Sequence, residues 1–244
     1  MADIELYCGD CYEKIKDIPD KSVDLVVIDP PYLFAGHGGG GAFGTKKRNY
    51  HAEYESLFKK TGATYETERL RIKANKARAA ADLAGIDGGF SYDLLEMLDA
   101  KQKAINTYIW CSKAQLCSIL KHYENKGCSV DVLTWHKTNP TPTCNNTYLS
   151  DTEYLVFARE KGVKVYGSYH TKRKWYVSPA NVEDKKKYGH PTIKPLNIIE
   201  NLIINSSQAG GGRIGLFYGF RNYWRGCQEA WAQVYRHRTR REVF

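Results

Sequence analysis

Two rhythms of apolar residues divide the chain into short strands and amphipathic helices. Ile4 to Cys8 alternate as a strand does, and Gly9-Asp10 turn the chain. Residues 11–18 then place Tyr12, Ile15 and Ile18 on one helical face before Pro19-Asp20. Ser22 to Ile28 end in an unbroken apolar run, the pattern of a parallel strand covered on both faces. A helical pattern rich in Ala, Lys and Arg covers residues 66–84, and Gly85 to Gly89 break it. Ser91 caps a helix over 92–103 with Leu94, Leu95 and Leu98 inward, and residues 105–111 form a strand. A helix over 113–126 stops at Gly127, strands follow over 129–135 and 153–158, and Pro195 opens a helix over 195–207 with Leu196, Ile199 and Ile203 inward. Strands alternating with helices predict an α/β fold with a mostly parallel sheet and helices on both faces. No internal repeat is visible.

The strand over 22–28 runs directly into Asp29-Pro30-Pro31-Tyr32. Proline cannot continue a hydrogen-bonded ladder, so Asp29 falls at the carboxyl end of its strand. An exocyclic amine on an aromatic base is a poor nucleophile because its lone pair is delocalised into the ring. Two acceptors aimed at its hydrogens favour a more pyramidal nitrogen. The Asp29 carboxylate and the Pro30 carbonyl can supply them, Pro30 and Pro31 stiffen the turn, and Tyr32 can stack on an extruded base. The bland alternative is a turn after a buried strand, with Tyr32 as packing.

Charge adds to this picture. Lys and Arg number 36 against 27 Asp and Glu, a formal +9, which fits a polyanionic partner and equally fits solubilising charge. Aromatic residues make up 13%, including 18 Tyr, and serve base stacking or core packing. Seven scattered cysteines read as reduced and cytoplasmic, the N-terminus does not read as a secretion signal, and no apolar run is long enough to span a membrane.

Further segments sharpen the reading. They are Gly9-Asp10-Cys11, Asp20 to Leu25, Trp135 to Pro142, Asp151-Thr152-Glu153-Tyr154, and His190-Pro191-Thr192-Ile193-Lys194-Pro195 before a helix. In this order, with Asp29-Pro30-Pro31-Tyr32 early, the chain resembles the amino-group DNA methyltransferases that act on adenine N6 or cytosine N4. It resembles their permuted group, over roughly residues 4–34 and 91–210. The resemblance implies a Rossmann-like fold with permuted motif order, S-adenosylmethionine as cofactor and double-stranded DNA as substrate. It also implies a bacterial or phage-encoded cytoplasmic setting, with a cognate restriction enzyme as an expected partner. It implies that Asp29, Pro30, Pro31 and Tyr32 are catalytic. Asp10 and Cys11 would lie by the cofactor's adenine, and His190, Thr192, Lys194 and Pro195 by its amino-acid end. There a cationic Lys194 could pair with the cofactor carboxylate. Aspartate as first motif residue favours adenine over cytosine as a tendency, and disfavours methylation of RNA or a protein amide, where asparagine is the usual first residue.

On this resemblance residues 1–210 form the catalytic domain, with a basic helical insertion at about 36–90. Lys46, Lys47 and Arg48 in the insertion, with His136, Lys137, Asn139, Lys172 and Arg173, are the candidate DNA contacts; a solvated helix face or a basic β-turn is the alternative. The region around Tyr169, Lys174 and Trp175 lies where target recognition could fall. Gly38 to Lys46 fail the phosphate-loop pattern because Thr45 stands where lysine belongs, and Cys8-x-x-Cys11 lacks a second pair, so no metal is expected.

Residues 211–244 depart from the family, which carries a strand and an Asp-x-Phe-x-Gly-x-Gly loop here; Leu216 to Phe220 only faintly resemble it. Codons permitted from Gly215 onward, read one nucleotide later, give Asp-Cys-Phe-Met-Gly-Ser-Gly-Thr-Thr-Gly. The expectation is therefore a one-nucleotide frameshift near residues 211–215, a poorly ordered tail, and weak or absent activity, with a divergent tail as the bland alternative to the frameshift.

Overall fold

The structure, a computed structural model, describes residues 10–33, 89–140, 148–180, 193–208 and 213–217. Six strands form one sheet: β1 (Leu25–Asp29), β2 (Asn106–Cys111), β3 (Ser129–Lys137), β4 (Thr152–Arg159), β5 (Trp175–Ser178) and β6 (Arg213–Phe217), in the order β5-β3-β4-β2-β1-β6. β1 pairs in parallel with β2 and β6, β3 pairs in parallel with β5, and β4 is antiparallel to both β2 and β3. Among the described residues only β4 is reversed, so the expected mostly parallel α/β sheet is correct with one strand inverted.

Side-chain alternation along the strands builds two cores. Val26 and Ile28 face Ile109, Cys111, Val156 and Ala158, and this face is covered by α1 (Cys11–Lys14) with the 3-10 turn Ile15–Asp17, by α2 (Asp93–Lys101) and by α3 (Lys113–Asn125). Leu25 and Val27 face Tyr108, Trp110, Leu133, Trp135, Leu155 and Phe157, and α4 (Leu196–Ser206) closes this second face. Because β1 has helices on both sides, all five of its residues are buried, which is why its sequence is a run rather than an alternation. Tyr108 stacks on Phe157 at 4.2 Å between ring centroids, and Trp110 meets Trp135 edge-on at 6.2 Å.

The helix ends follow the signals in the sequence. The Ser91 hydroxyl accepts from the Asp93 amide at 3.3 Å ahead of α2. Gly127 adopts φ 71° after α3, where the Gly127 and Cys128 amides close the last turn onto Glu124 and Tyr123. Pro195 caps α4 from an extended conformation. Asn106 fixes the direction of α4: its side-chain amide donates to Asp24 O and Ser206 O, both at 2.8 Å. That bond holds the last turn of α4 at the amino ends of β1 and β2. The first turn, with Lys194 and Pro195 just before it, therefore lies toward the carboxyl ends of the strands, where Asp29 sits.

One expectation is corrected. Residues 211–217 are not wholly without a strand: Arg213–Phe217 pair with β1 from Leu25↔Arg213 to Asp29↔Phe217, and Ile214 is buried in the first core. The apolar Ile214 and Leu216, two positions apart, are the strand signal in the sequence. Among the described residues β6 ends the strand order and is not central. Residues 169–172 form a turn, closed by the Lys172 amide donating to Ser168 O at 3.1 Å, and the chain then enters β5 at Trp175, a strand that the sequence reading did not include. The strand over 4–8, the insertion helix over 66–84 and the tail from 218 lie outside the described residues. No described helix is long and apolar enough to cross a membrane.

Replacing Leu202, fully buried between α4 and the sheet, by Ala should destabilise the fold by about 2–5 kcal/mol, measured by urea unfolding; a change within about 0.5 kcal/mol would contradict the packing described.

Candidate active site

The end of β1 supplies the centre of the site. Asp29 is its last residue, and Pro30 and Pro31 are buried behind it. The turn is held from α3. The Gln115 side-chain amide donates to Pro31 O at 3.0 Å, and the Ser112 hydroxyl donates to Leu33 O at 2.6 Å. Ser112 and Gln115 also form the capping box that starts α3, with the Ser112 amide donating to Gln115 Oε1 at 3.1 Å. One pair of side chains thus starts a helix and pins the Asp-Pro-Pro-Tyr turn. The Ser-x-x-Gln spacing is the signal in the sequence that could have revealed this pair.

Asp29 does not stand alone. Lys194 Nζ lies 2.8 Å from Asp29 Oδ1 and 3.3 Å from Glu153 Oε2, and Lys137 Nζ lies 2.6 Å from Glu153 Oε1. The Tyr32 hydroxyl donates to Glu153 Oε2 at 3.1 Å. The Lys194 ammonium also sits 4.9 Å from the Tyr32 ring centroid and 5.2 Å from that of Trp110, within cation–π range. The Asp29 and Lys194 side chains are 7% and 2% exposed, so this is an internal charge network and not a surface pair.

Burial sets the protonation tendencies and the charges correct them. Burial pushes the Asp29 carboxyl up, and the Lys194 ammonium pulls it back. Burial would also raise Glu153, but Lys194 and Lys137 outweigh it and hold that carboxyl down at about 2. Burial would lower Lys194, but Asp29 and Glu153 outweigh it, so the lysine is held above its ordinary range and stays charged. Burial, then Glu153 and Asp29, drive Tyr32 well above its ordinary value, so it remains a phenol.

Other candidates fall in several places. The Asp10 carboxylate accepts from the Tyr12 amide at 2.9 Å and caps α1, and Cys11 is half-buried. The Ser91 amide donates to the Tyr12 hydroxyl at 3.1 Å, and Gly89 packs against Leu33 closely enough that an added Cβ would come within 3.3 Å of the Leu33 Cβ. These contacts bring Asp10 and Cys11 toward the Asp29 end of the sheet. His136 is tied to Thr134 at 3.0 Å and Thr152 at 3.2 Å, and Asn139 Oδ1 accepts from the Ala180 amide at 2.6 Å. Lys137 turns inward to Glu153. Lys172 and Arg173 are exposed, with the Arg173 guanidinium 5.2 Å from the centre of the half-exposed Trp175 ring. His190, Thr192, Lys46, Lys47 and Arg48 lie outside the described residues. The roles of Glu153 and Trp110 were not assigned from sequence, although Glu153 lies in one of the motifs that carry the resemblance.

Comparison with known proteins places the chain among similar sequences and folds. The Type II methyltransferase M2.MboI of Moraxella bovis is 22% identical over 220 residues, 83% of this chain and 71% of the relative. The chain is similar to Type II methyltransferases. M2.DpnII of Streptococcus pneumoniae is 21% identical over 86% of this chain and 75% of its own, and M2.LlaDCHI of Lactococcus lactis subsp. cremoris is 22% identical over the same shares. No family model matches. Two solved structures of M1.HpyAVI align over 92% of this chain. One has a TM-score of 0.54 at 15% identity over 97% of that chain. The other, described as a complex with SAM, has 0.51 at 19% over 98%. The fold is the Rossmann-like α/β fold of these enzymes.

Glu153 has a folded pKa of about 2 against an ordinary 4.5, so it contributes stability that is present above pH 4.5 and lost as pH falls toward 2, at most about 3 kcal/mol. Asp29, shifted upward, runs the opposite way, so the difference between wild type and Glu153→Gln isolates the Glu153 contribution. Urea unfolding at pH 6 and pH 3 should show the wild type losing more stability than Glu153→Gln; parallel losses would refute the assignment.

Proposed function

We propose that the chain moves a methyl group from S-adenosylmethionine to the N6 amine of an adenine flipped out of double-stranded DNA at a defined site. The observation that carries this reading is Asp29: a carboxylate on the last residue of a buried parallel strand, followed at once by two prolines and Tyr32, at the carboxyl end of an α/β sheet. The Type II methyltransferase relatives support methylation of DNA in a restriction-modification setting, and a cognate restriction enzyme is the partner this reading calls for. The SAM complex of a protein with this fold supports the cofactor.

On this reading the Asp29 carboxylate and the Pro30 carbonyl accept the two hydrogens of the target amine, and the Tyr32 ring stacks on the base. Lys194 must first release Asp29 Oδ1. When bound, S-adenosylmethionine supplies an electrophilic methyl. Asp10, half-buried Cys11 and Tyr12 offer an acceptor and an apolar wall that fit its adenosyl half. Its carboxylate needs a cation, and Lys194 as placed is already matched by Asp29 and Glu153, so that expected pairing has no support among the described residues. The exposed Lys172 and Arg173 beside Trp175 suit phosphate and base contacts; Lys137 and Asn139, with their side chains engaged within the protein, suit positioning roles.

A second reading, a DNA-binding chain impaired in catalysis, is favoured by residues 211–244, which lack an Asp-x-Phe-x-Gly-x-Gly loop. We attribute that loss to a one-nucleotide frameshift, and the coding sequence around codon 212 tests it directly; nucleotides incompatible with the shifted frame would remove it.

Transfer of labelled methyl groups to unmethylated DNA should be at least about a hundredfold faster for a frame-restored chain than for this one, and calorimetry should find S-adenosylmethionine binding to this chain weaker than micromolar. Asp29→Ala in the restored chain should abolish transfer and spare DNA binding; undiminished turnover would overturn the role of Asp29.

A further inference from the structure

The Lys194 ammonium stands where a target amine would have to go. It donates to Asp29 Oδ1 at 2.8 Å and rests 4.9 Å from the centre of the Tyr32 ring, so one side chain engages both the carboxylate and the stacking face that a flipped base would use. Being held above its ordinary pKa by Asp29 and Glu153, it carries no lone pair and cannot itself accept a methyl group. With its side chain 2% exposed, it cannot simply retreat into water.

We propose that Glu153 is the positioning residue of this site, holding the Tyr32 hydroxyl and taking Lys194 over from Asp29 when the amine of a base arrives. The inference rests on the methyltransferase reading for the identity of that amine. Glu153 Oε2 is already 3.3 Å from Lys194 Nζ, and shortening this contact to an ordinary charged hydrogen bond of about 2.8 Å needs only a small rotation of the lysine stem. The same oxygen accepts from the Tyr32 hydroxyl at 3.1 Å, so the residue that receives the lysine also fixes the ring on which the base stacks. A carboxylate oxygen has two lone pairs and can hold both donors. Lys137, 2.6 Å from Oε1, keeps Glu153 ionised, so the group stays at two carboxylates and two ammoniums as Lys194 moves, and the hydrogens of the arriving amine replace the lysine as donors to Asp29. Between turnovers the lysine stays on Asp29 and draws its carboxyl down against the upward push of burial.

The test uses the full chain with ¹³C-labelled lysine, the Lys194 resonance being assigned by its loss in Lys194→Met. Asp29→Asn imitates a carboxylate whose charge is already engaged. In it Lys194 should stay charged and immobile, as in wild type; in Asp29→Asn/Glu153→Gln its pKa should fall by about one unit or more. Release of Lys194 by Asp29→Asn alone would overturn the handover. Should Asp29→Asn not fold, a urea-unfolding cycle of Glu153→Gln with Lys194→Met in the chain that keeps Asp29 decides the matter: favourable coupling supports the proposal, additive losses overturn it. In an active frame-restored chain, Glu153→Gln should raise KM for DNA about tenfold or more with a smaller change in kcat, and Lys194→Met added to it should recover most of that loss. A purely structural Glu153 would give losses that add. A chain with the Lys194 behaviour but no methyl transfer would sink the methyltransferase reading and leave the handover standing; an active chain in which Asp29→Asn frees Lys194 would do the reverse.

Discussion

A carboxylate on the last residue of a strand buried on both faces must meet a cation inside the protein, because the water that would otherwise solvate it is gone. Asp29 meets Lys194, and most of the carboxyl end of the sheet is arranged around that contact. Lys194 arrives on the segment that enters α4, whose direction is fixed at the other end by the Asn106 side chain bridging Asp24 and Ser206. With Lys137 also present, positive charge exceeds what Asp29 alone would balance, and Glu153 on β4 brings the cluster to two negatives and two positives. The inverted β4 is what brings Glu153 there. Its pairing with β2 sets Cys111 opposite Tyr154, so Glu153, near the start of β4, lies at the carboxyl end of β2, beside the end of β1.

The backbone of the motif is fixed by neutral hydrogen bonds and its side chains by charge. Gln115 and Ser112 hold the carbonyls of Pro31 and Leu33, and prolines need no amide partner of their own. The turn is therefore rigid without any ion pair. The proposed exchange of partners among Asp29, Tyr32, Lys194 and Glu153 would then leave the turn undisturbed, as the proposed admission of a target amine requires.

Much of the fold was legible because buried strands and amphipathic helices leave different apolar periods. The run Leu25 to Ile28, the capping at Ser91, Gly127 and Pro195, and the placement of Asp29 at a strand end all follow from local rules. The reversal of β4 was not legible, because Thr152 to Arg159 carry the same apolar signal in either direction. β5 was not legible because its outward positions carry the apolar Trp175 and Val177, so a strand that alternates in burial leaves no apolar-polar alternation in the sequence. Lys194 and Glu153 were named within motifs, but their partnership spans some forty residues and depends on where α4 starts. No spacing rule along the chain encodes that.

The strand β6 marks the limit of what backbone pairing can preserve. A parallel strand needs amides, carbonyls and one or two apolar side chains, and Arg213 to Phe217 meet that need through the ladder to β1 and the burial of Ile214. A loop that approaches a cofactor needs glycines at fixed positions, since a Cβ would occupy the space the ligand requires. A change of reading frame scrambles side chains and leaves the polymer intact. The proposed change of frame would therefore spare a strand far more readily than a glycine loop: β6 keeps its ladder to β1, and the sequence from Tyr218 onward does not carry the Asp-x-Phe-x-Gly-x-Gly pattern.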